Sequence, residues 1–388
     1  MTPSIATAAA PAVPRRALPT NESVSAQHPD LPGLAAVLDP ERRAEVLAPI
    51  VGDLPMEVAR LRLKPGTSVA LALRPATGAR RDLNAGRPHG WWRVLAFAPE
   101  PFAPKADKER IAAERTHLPI LVDRELRLVV SPAETDRALR GLAWLRPDSG
   151  CLVSVEGRPR TVHTLSYNPD PRWVGMARDP LGRERSVLRM YADDGTLHVE
   201  PWAHGRAWSA GDSPDLLPAL GAALAAGLHR RFDADRGAAV RGFDLAQLDQ
   251  AARFLAGLDQ EWGERADAVA RSIAPRLGGL DLAPAHGDLS PDQVVVDDDG
   301  EVHLLDWDRA GIWPAGWDAA TWGAGSTLFL PGGPRGPITA ALPGHTTPDA
   351  TVRAAAALLY TPDPFRRQFP DWAADIERLL THAETVLS

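Results

Sequence analysis

Residues 284–322 read PAHGDLSPDQVVVDDDGEVHLLDWDRAGIWPAGWDAATW, a stretch in which carboxylates, one carboxamide and imidazoles surround two short apolar runs. Val294 to Val296 and Val302 to Leu305 are expected strands, with Asp297-Asp298-Asp299-Gly300 as the turn between them. Such a hairpin brings Asp288 and Gln293, before its first strand, near Asp306 and Asp308, after its second. Oxygen-only donors suit a hard ion such as magnesium, which usually completes its shell with substrate phosphates. Asp288, outside that shell, can orient or deprotonate a hydroxyl nucleophile. The three aspartates of the turn itself are read as turn caps.

Positioning such a hairpin takes a scaffold, and the chain divides into two textures. After an Ala/Pro-rich start, Pro40 to Ile50 reads as a helix opened by Asp39 and Pro40. Val58 to Leu63, Val69 to Leu73, Trp91 to Phe97 and Leu126 to Val130 read as strands, with a helix at Lys105 to Leu118 before the last. A related pattern recurs about 100 residues later. Leu61 to Val69 can be laid on Leu165 to Trp173, and Trp92 to Phe97 on Ser186 to Tyr191, which suggests a duplicated half-lobe without the helix in its second copy. From Leu216 onward the spacing is helical, at Leu216 to Phe232, Leu245 to Leu258, Ala266 to Leu277, Pro348 to Leu359 and Trp372 to Leu387. Gly323 to Pro348, rich in Gly and Pro, is expected to be irregular.

Composition bounds the function. The 388 residues are 44% hydrophobic and 24% charged, as in soluble globular proteins, and exceed one compact domain. The single cysteine, Cys151, excludes a disulfide framework and a Cys-based zinc cluster and fits a reducing compartment. No apolar run approaches a membrane span, and Arg15 and Arg16 follow the first apolar stretch, the wrong order for a secretory signal. A cytoplasmic protein without membrane partners is expected. Residues 1–200 hold 28 Lys and Arg against 24 Asp and Glu, and residues 201–388 hold 15 against 26. The mildly basic half suits nucleotide phosphates and the acidic half suits cations, or both are ordinary solvated surfaces. No Lys/Arg-dense run points to nucleic acid.

The hairpin segment resembles the catalytic hairpin of the aminoglycoside phosphotransferase and choline kinase superfamily, a branch of the protein-kinase-like fold. The motif His286-Gly287-Asp288-Leu289 is intact, Asp306-Trp307 follows at the family's distance, and Gly316-Trp317-Asp318-Ala319 matches a bracing aspartate. Leu197 to Gly205 resembles the hinge strand, and Leu220 to His229 the first helix of the C-terminal lobe. The resemblance implies an α+β fold: a two-lobed kinase-like body, with a small antiparallel β N-lobe and a mostly helical C-lobe, preceded by an extra α+β unit. The boundaries expected are 1–30 for a disordered tail, 31–148 for the N-terminal unit, 149–205 for the N-lobe and hinge, and 206–388 for the C-lobe.

Carried over by position, the resemblance makes Asp288 the catalytic base and Asp306 the main magnesium ligand, with His286 and Asp318 supporting the loop. Glu200 and Trp202 fall at the hinge, where the nucleotide base would lie. Two departures stand out. Gln293 replaces the family's metal-binding Asn, and Arg189 stands where the family places a nucleotide lysine, because the three lysines, Lys64, Lys105 and Lys108, all lie upstream. Arg189 can grip phosphate through its permanent charge and forked donors, or it faces solvent on its strand's outer face, with Arg172 as the substitute. Glu109 or Glu114 is the candidate partner for it. The reading is an ATP- and Mg2+-dependent phosphotransferase acting on a hydroxyl of a small molecule, an aminoglycoside, sugar or amino alcohol. The rival is a degenerate kinase fold that binds nucleotide as a scaffold without turnover.

Overall fold

The structure is a computed structural model that describes residues 17–76, 90–183, 185–193, 195–209, 212, 216–232, 241–330, 342 and 345–388. Three helices come first, α1 (Asn21–Ala26), α2 (Pro32–Leu38) and α3 (Pro40–Val51). Thr20 and Ser23 form a reciprocal capping box, and Asp39 caps α3 ahead of Pro40. Residues 21–30 therefore depart from the expected tail: the capping box starts a helix, and Val24 anchors it in the core. Residues 1–16 of that tail lie outside the described residues.

The first sheet contains β1 (Met56–Lys64), β2 (Ser68–Pro75), β3 (Trp92–Phe97), β4 (Leu121–Asp123) and β5 (Leu128–Pro132), with α4 (Pro99–Thr116) between β3 and β4. It is antiparallel in the order β1-β2-β3-β5-β4. One face, with Leu61, Leu71, Trp92 and Val94, shares a core with α1 to α3 and the helical half. The other, with Ala70, Leu95, Phe97 and Val129, is covered by α4 through Ala106. The alternation along each strand sends neighbouring residues to these two faces.

A short helix, α5 (Leu142–Leu145), leads to the second sheet, a meander of β6 (Val153–Val155), β7 (Arg158–Asn168), β8 (Arg172–Arg178), β9 (Arg185–Tyr191) and β10 (Leu197–Pro201). Its Tyr167, Trp173, Leu188 and Met190 pack on Leu139, Leu142 and Leu145. The opposite face looks toward the helical half. That half comprises β11 (Arg206–Ala207), α6 (Leu216–Arg231), β12 (Arg241–Gly242), α7 (Ala246–Ala256), α8 (Gln260–Leu277), β13 (Leu282–Ala285), the hairpin β14 (Val294–Val296) and β15 (Val302–Leu304), and β16 (Gly311–Pro314). It ends with α9 (Trp317–Phe329), α10 (Ala350–Tyr360), α11 (Asp363–Arg366) and α12 (Trp372–Leu387).

The whole is α+β: the first sheet with its helices forms the extra unit, and the second sheet leads through residues 202–205 into the helical half. Helix α9 corrects the irregular segment expected from Gly323: Gly325 stays helical and packs on Ser290, a contact only a small residue permits. Residues 331–341, 343 and 344 of that segment lie outside the described residues. The extra unit grips the helical lobe. Pro65, in the β1–β2 turn, abuts Gly257 after α7, where His28 Nε2 lies 2.7 Å from the Gly257 carbonyl and Gln27 donates to the Leu258 carbonyl at 2.9 Å. No described helix is long and apolar enough to cross a membrane.

Candidate active site

His286-Gly287-Asp288 leaves β13, which pairs with β16 so that Ala285 sits opposite Gly311. Asp318, buried in the first turn of α9, accepts the His286 N–H at 2.8 Å and the Gly287 N–H at 3.0 Å. Trp317 Nε1 donates to the Gly287 carbonyl at 3.1 Å. The loop is thus held by its backbone, leaving the Asp288 side chain free for other work. Gly287 has φ of +85°, and a Cβ there would meet the Arg309 carbonyl, so glycine is required. His286 Nε2 donates to the Leu305 carbonyl at 2.8 Å, and burial lowers the ring's pKa, which keeps the imidazole neutral. Its ring lies 4.6 Å from that of Trp307, which packs against Gly227 of α6.

Asp288 receives a hydrogen bond from Tyr360 Oη at 3.2 Å and faces Arg309 Nη1 at 3.8 Å. Burial pushes its carboxyl up to about 6, against the pull of Arg309. A carboxylate poised there exchanges protons near neutrality, as a general base requires.

Across the cleft, Asp306 adopts a left-handed backbone, φ 58°, that points its carboxylate at the second sheet. Arg172 Nη1 donates to it at 3.0 Å and Arg189 Nη1 at 2.9 Å. Burial alone would raise the Asp306 carboxyl, but the two arginines hold it below its ordinary value. Asp308 accepts from Arg172 at 3.2 Å and from the Tyr191 hydroxyl. Gln293 accepts the Leu305 N–H at 2.9 Å through its own carbonyl, which seats it at the Asp306 end of the hairpin. At the far end Asp297 Oδ1 accepts the Asp299 and Glu301 N–H groups, the turn cap read from the sequence.

The structure therefore brings Arg189 and the Gln293 backbone to the Asp306 end of the hairpin, with Asp288 within the field of Asp306 and with His286 and Asp318 behind the loop. Arg189 faces inward, its side chain only 9% exposed, not outward to solvent. Glu200 reaches the cleft through Arg189 Nε at 3.2 Å. Trp202 stands further along the hinge, its ring 5.9 Å from the Arg185 guanidinium. The proposed partner Glu109 does not reach Arg189: it pairs with Arg93 and Arg137 inside the extra unit. Glu114 pairs with Arg110 on the surface of α4. Sequence reasoning missed Tyr191, Arg309 and Tyr360. Period-two spacing from Arg189 places Tyr191 on the same strand face, and Arg309 is three residues past Asp306. Nothing local to Tyr360 signals its approach to Asp288.

Several solved structures are similar. A choline kinase from Streptococcus pneumoniae is 11% identical, covering 61% of this chain and 95% of that one, with a TM-score of 0.42. A choline kinase from Cryptosporidium parvum is 10% identical, covering 58% and 88%, also with a TM-score of 0.42. A macrolide 2'-phosphotransferase from Brachybacterium faecium is 18% identical, covering 65% and 98%, with a TM-score of 0.33. No curated protein matches the chain. Residues 169–342, which run from the β7–β8 turn through the β14–β15 hairpin to beyond α9, match the model of the phosphotransferase enzyme family.

Proposed function

We propose that the protein is an ATP- and magnesium-dependent phosphotransferase that acts on a hydroxyl of a small molecule. The observation that carries this reading is the convergence of Asp288 and Asp306 on one braced loop and hairpin, with two arginines on Asp306. In-line phosphoryl transfer needs positioning and charge neutralisation more than covalent chemistry. Asp306 and the Gln293 amide are oxygen donors at one hairpin end, a set that suits magnesium. Bound there with the nucleotide, the ion supplies neutralisation of charge on the transferred phosphoryl group. Arg172 and Arg189 turn their donors from Asp306 to phosphate oxygens, and Glu200 holds the Arg189 fork in place. Glu200 and Trp202 lie where the nucleotide base enters the hinge. Asp288 accepts the proton of the acceptor hydroxyl, with Tyr360 fixing one carboxylate oxygen.

The decisive measurement is on Asp288→Asn, with phosphate transfer and binding of a non-hydrolysable ATP analogue followed together. Transfer should fall by roughly 10²-fold or more with nucleotide affinity kept, the signature of a lost general base. Near-normal turnover would remove Asp288 from the mechanism. Nucleotide binding by the parent with no transfer to amino sugars, sugars or amino alcohols would favour the scaffold.

A further inference from the structure

We infer that the acceptor carries an anionic group, a carboxylate or a phosphate, which is docked by arginines that β1 and α11 bring to the Asp288 side of the cleft. This rests on the phosphotransferase reading and narrows its acceptor. Asp363 at the start of α11 is ringed by three guanidinium groups: Arg60 at 3.4 Å, Arg366 at 3.9 Å and Arg367 at 4.0 Å. Arg367 is shared with Asp292 at 3.1 Å, which leaves Arg60 and Arg366 to divide one carboxylate. Arg62, on the same strand face as Arg60, has its own partner in Asp170 at 3.6 Å. Arg309 joins this group to the chemistry, 3.8 Å from Asp288 and within the field of Asp363.

Positive charge is in surplus here. Burial is the main cause that lowers the Arg366 pKa, Asp363 pulls it the other way, and Arg60, Arg309 and Arg62 add smaller repulsions. The side chains are also built in place. A bulge between Val58 and Arg60 resets the β1 register just before Arg60. Arg366 lies over the Phe254 ring at 4.7 Å. Arg60 and Arg366 remain 25% and 36% exposed, so a ligand can reach them. An acceptor with a negative group completes this arrangement through charge-assisted hydrogen bonds, and a polycation is repelled by it. The acidic composition of residues 201–388 does not describe this local field.

The test uses the full chain saturated with magnesium and a non-hydrolysable ATP analogue, so that phosphate subsites are filled. Sulfate should bind saturably by calorimetry, and Arg60→Gln and Arg366→Gln should each weaken it about tenfold, with analogue affinity unchanged and partial rescue in Arg366→Lys. D-glucuronate and D-glucose 6-phosphate probe the two sources of charge, and the tighter binder tells carboxylate from phosphate. Absent sulfate binding, binding indifferent to both variants, or tighter binding of D-glucosamine than of both anionic sugars would overturn the inference. Failure of the analogue to bind with magnesium would instead overturn the phosphotransferase reading, and sulfate titration of the nucleotide-free protein still reports on the arginines.

Discussion

The two sheets begin with the same register and end with opposite uses of an arginine. In each, a three-residue turn joins the first two of three successive antiparallel strands, β1 to β3 and β7 to β9, with Lys64 opposite Ser68 and Asn168 opposite Arg172. The second strand's first residue then pairs with the third strand's last, Ser68 with Phe97 and Arg172 with Tyr191. By that register Arg189 occupies the place of Leu95, on the face that α4 covers in the first sheet. The second sheet has no helix there, because β10 follows β9 after a short turn and pairs with it directly.

That difference decides where each guanidinium finds its carboxylates. Arg93 is 1% exposed and closed in by Glu109 from α4, by Asp136 at 3.2 Å and by Asp170 at 3.8 Å. Tyr167 Oη satisfies Asp136 at 2.8 Å. Burial alone would lower the Arg93 pKa, and the acidic neighbours more than offset it. Arg189 lacks a helix of its own and borrows Asp306 and Asp308 from the other side of a cleft. An arginine closed in by buried carboxylates is structural. One whose partners lie across a cleft can trade them for a ligand.

The largest expected effect tests the closed network. Arg93→Met strands buried carboxylates and should cost about 3–5 kcal/mol in urea unfolding, as for a buried ion pair with one member removed. Arg189→Ala should cost less, about 1–2 kcal/mol, because Arg172 still pairs with Asp306 at 3.0 Å and water reaches Asp308 and Glu200. Equal losses in the two variants would erase the distinction between the sheets. Nucleotide binding should reverse the ranking: Arg189→Ala weakens the ATP analogue about tenfold or more and Arg189→Lys keeps part of the affinity, because charge survives while the fork is lost. Unchanged affinity in Arg189→Ala would move the phosphate contact to Arg172.

How far the sequence could lead follows the same division between local and distant contacts. The His286-Gly287-Asp288 loop, the hairpin and Asp318 were legible because their partners lie within about 30 residues at family spacing. Hairpin register and helical period also pointed to β1, β2, β3, β5, β9 and the ends of α12, while the three-residue strands β4 and β6 are too short to show a period. Glu109 was misassigned because its choice between Arg93 and Arg189 depends on which face of which sheet α4 covers, and neither side chain's neighbourhood records that. Arg60 and Arg366 are 306 residues apart, and only docking of the extra unit on α11 brings them to one aspartate. The start of the chain was read as a tail because Ala and Pro dominate it, whereas Thr20 and Ser23 cap a helix a few residues later.

The smallest predicted effect concerns Asp288, a carboxyl that burial pushes toward its protonated form. A folded-state pKa of about 6, above the ordinary value near 3.8, means that folding favours the protonated form. The sign follows: stability is lost as pH rises from the unfolded pKa through about 6, and nothing further is lost above it. Asp288→Asn removes that loss. With the side chain 31% exposed, the full shift is discounted, and the variant should gain roughly 1–2 kcal/mol at pH 8 and close to nothing near pH 4. On the proposed function the same substitution should remove most transfer, so stability and activity should move in opposite directions, as at a site that keeps a charge where folding alone disfavours one. Urea unfolding of the parent and Asp288→Asn at both pH values reads this out. A gain that is the same at pH 4 and pH 8, or absent at pH 8, would show that folding does not disfavour the charged carboxyl.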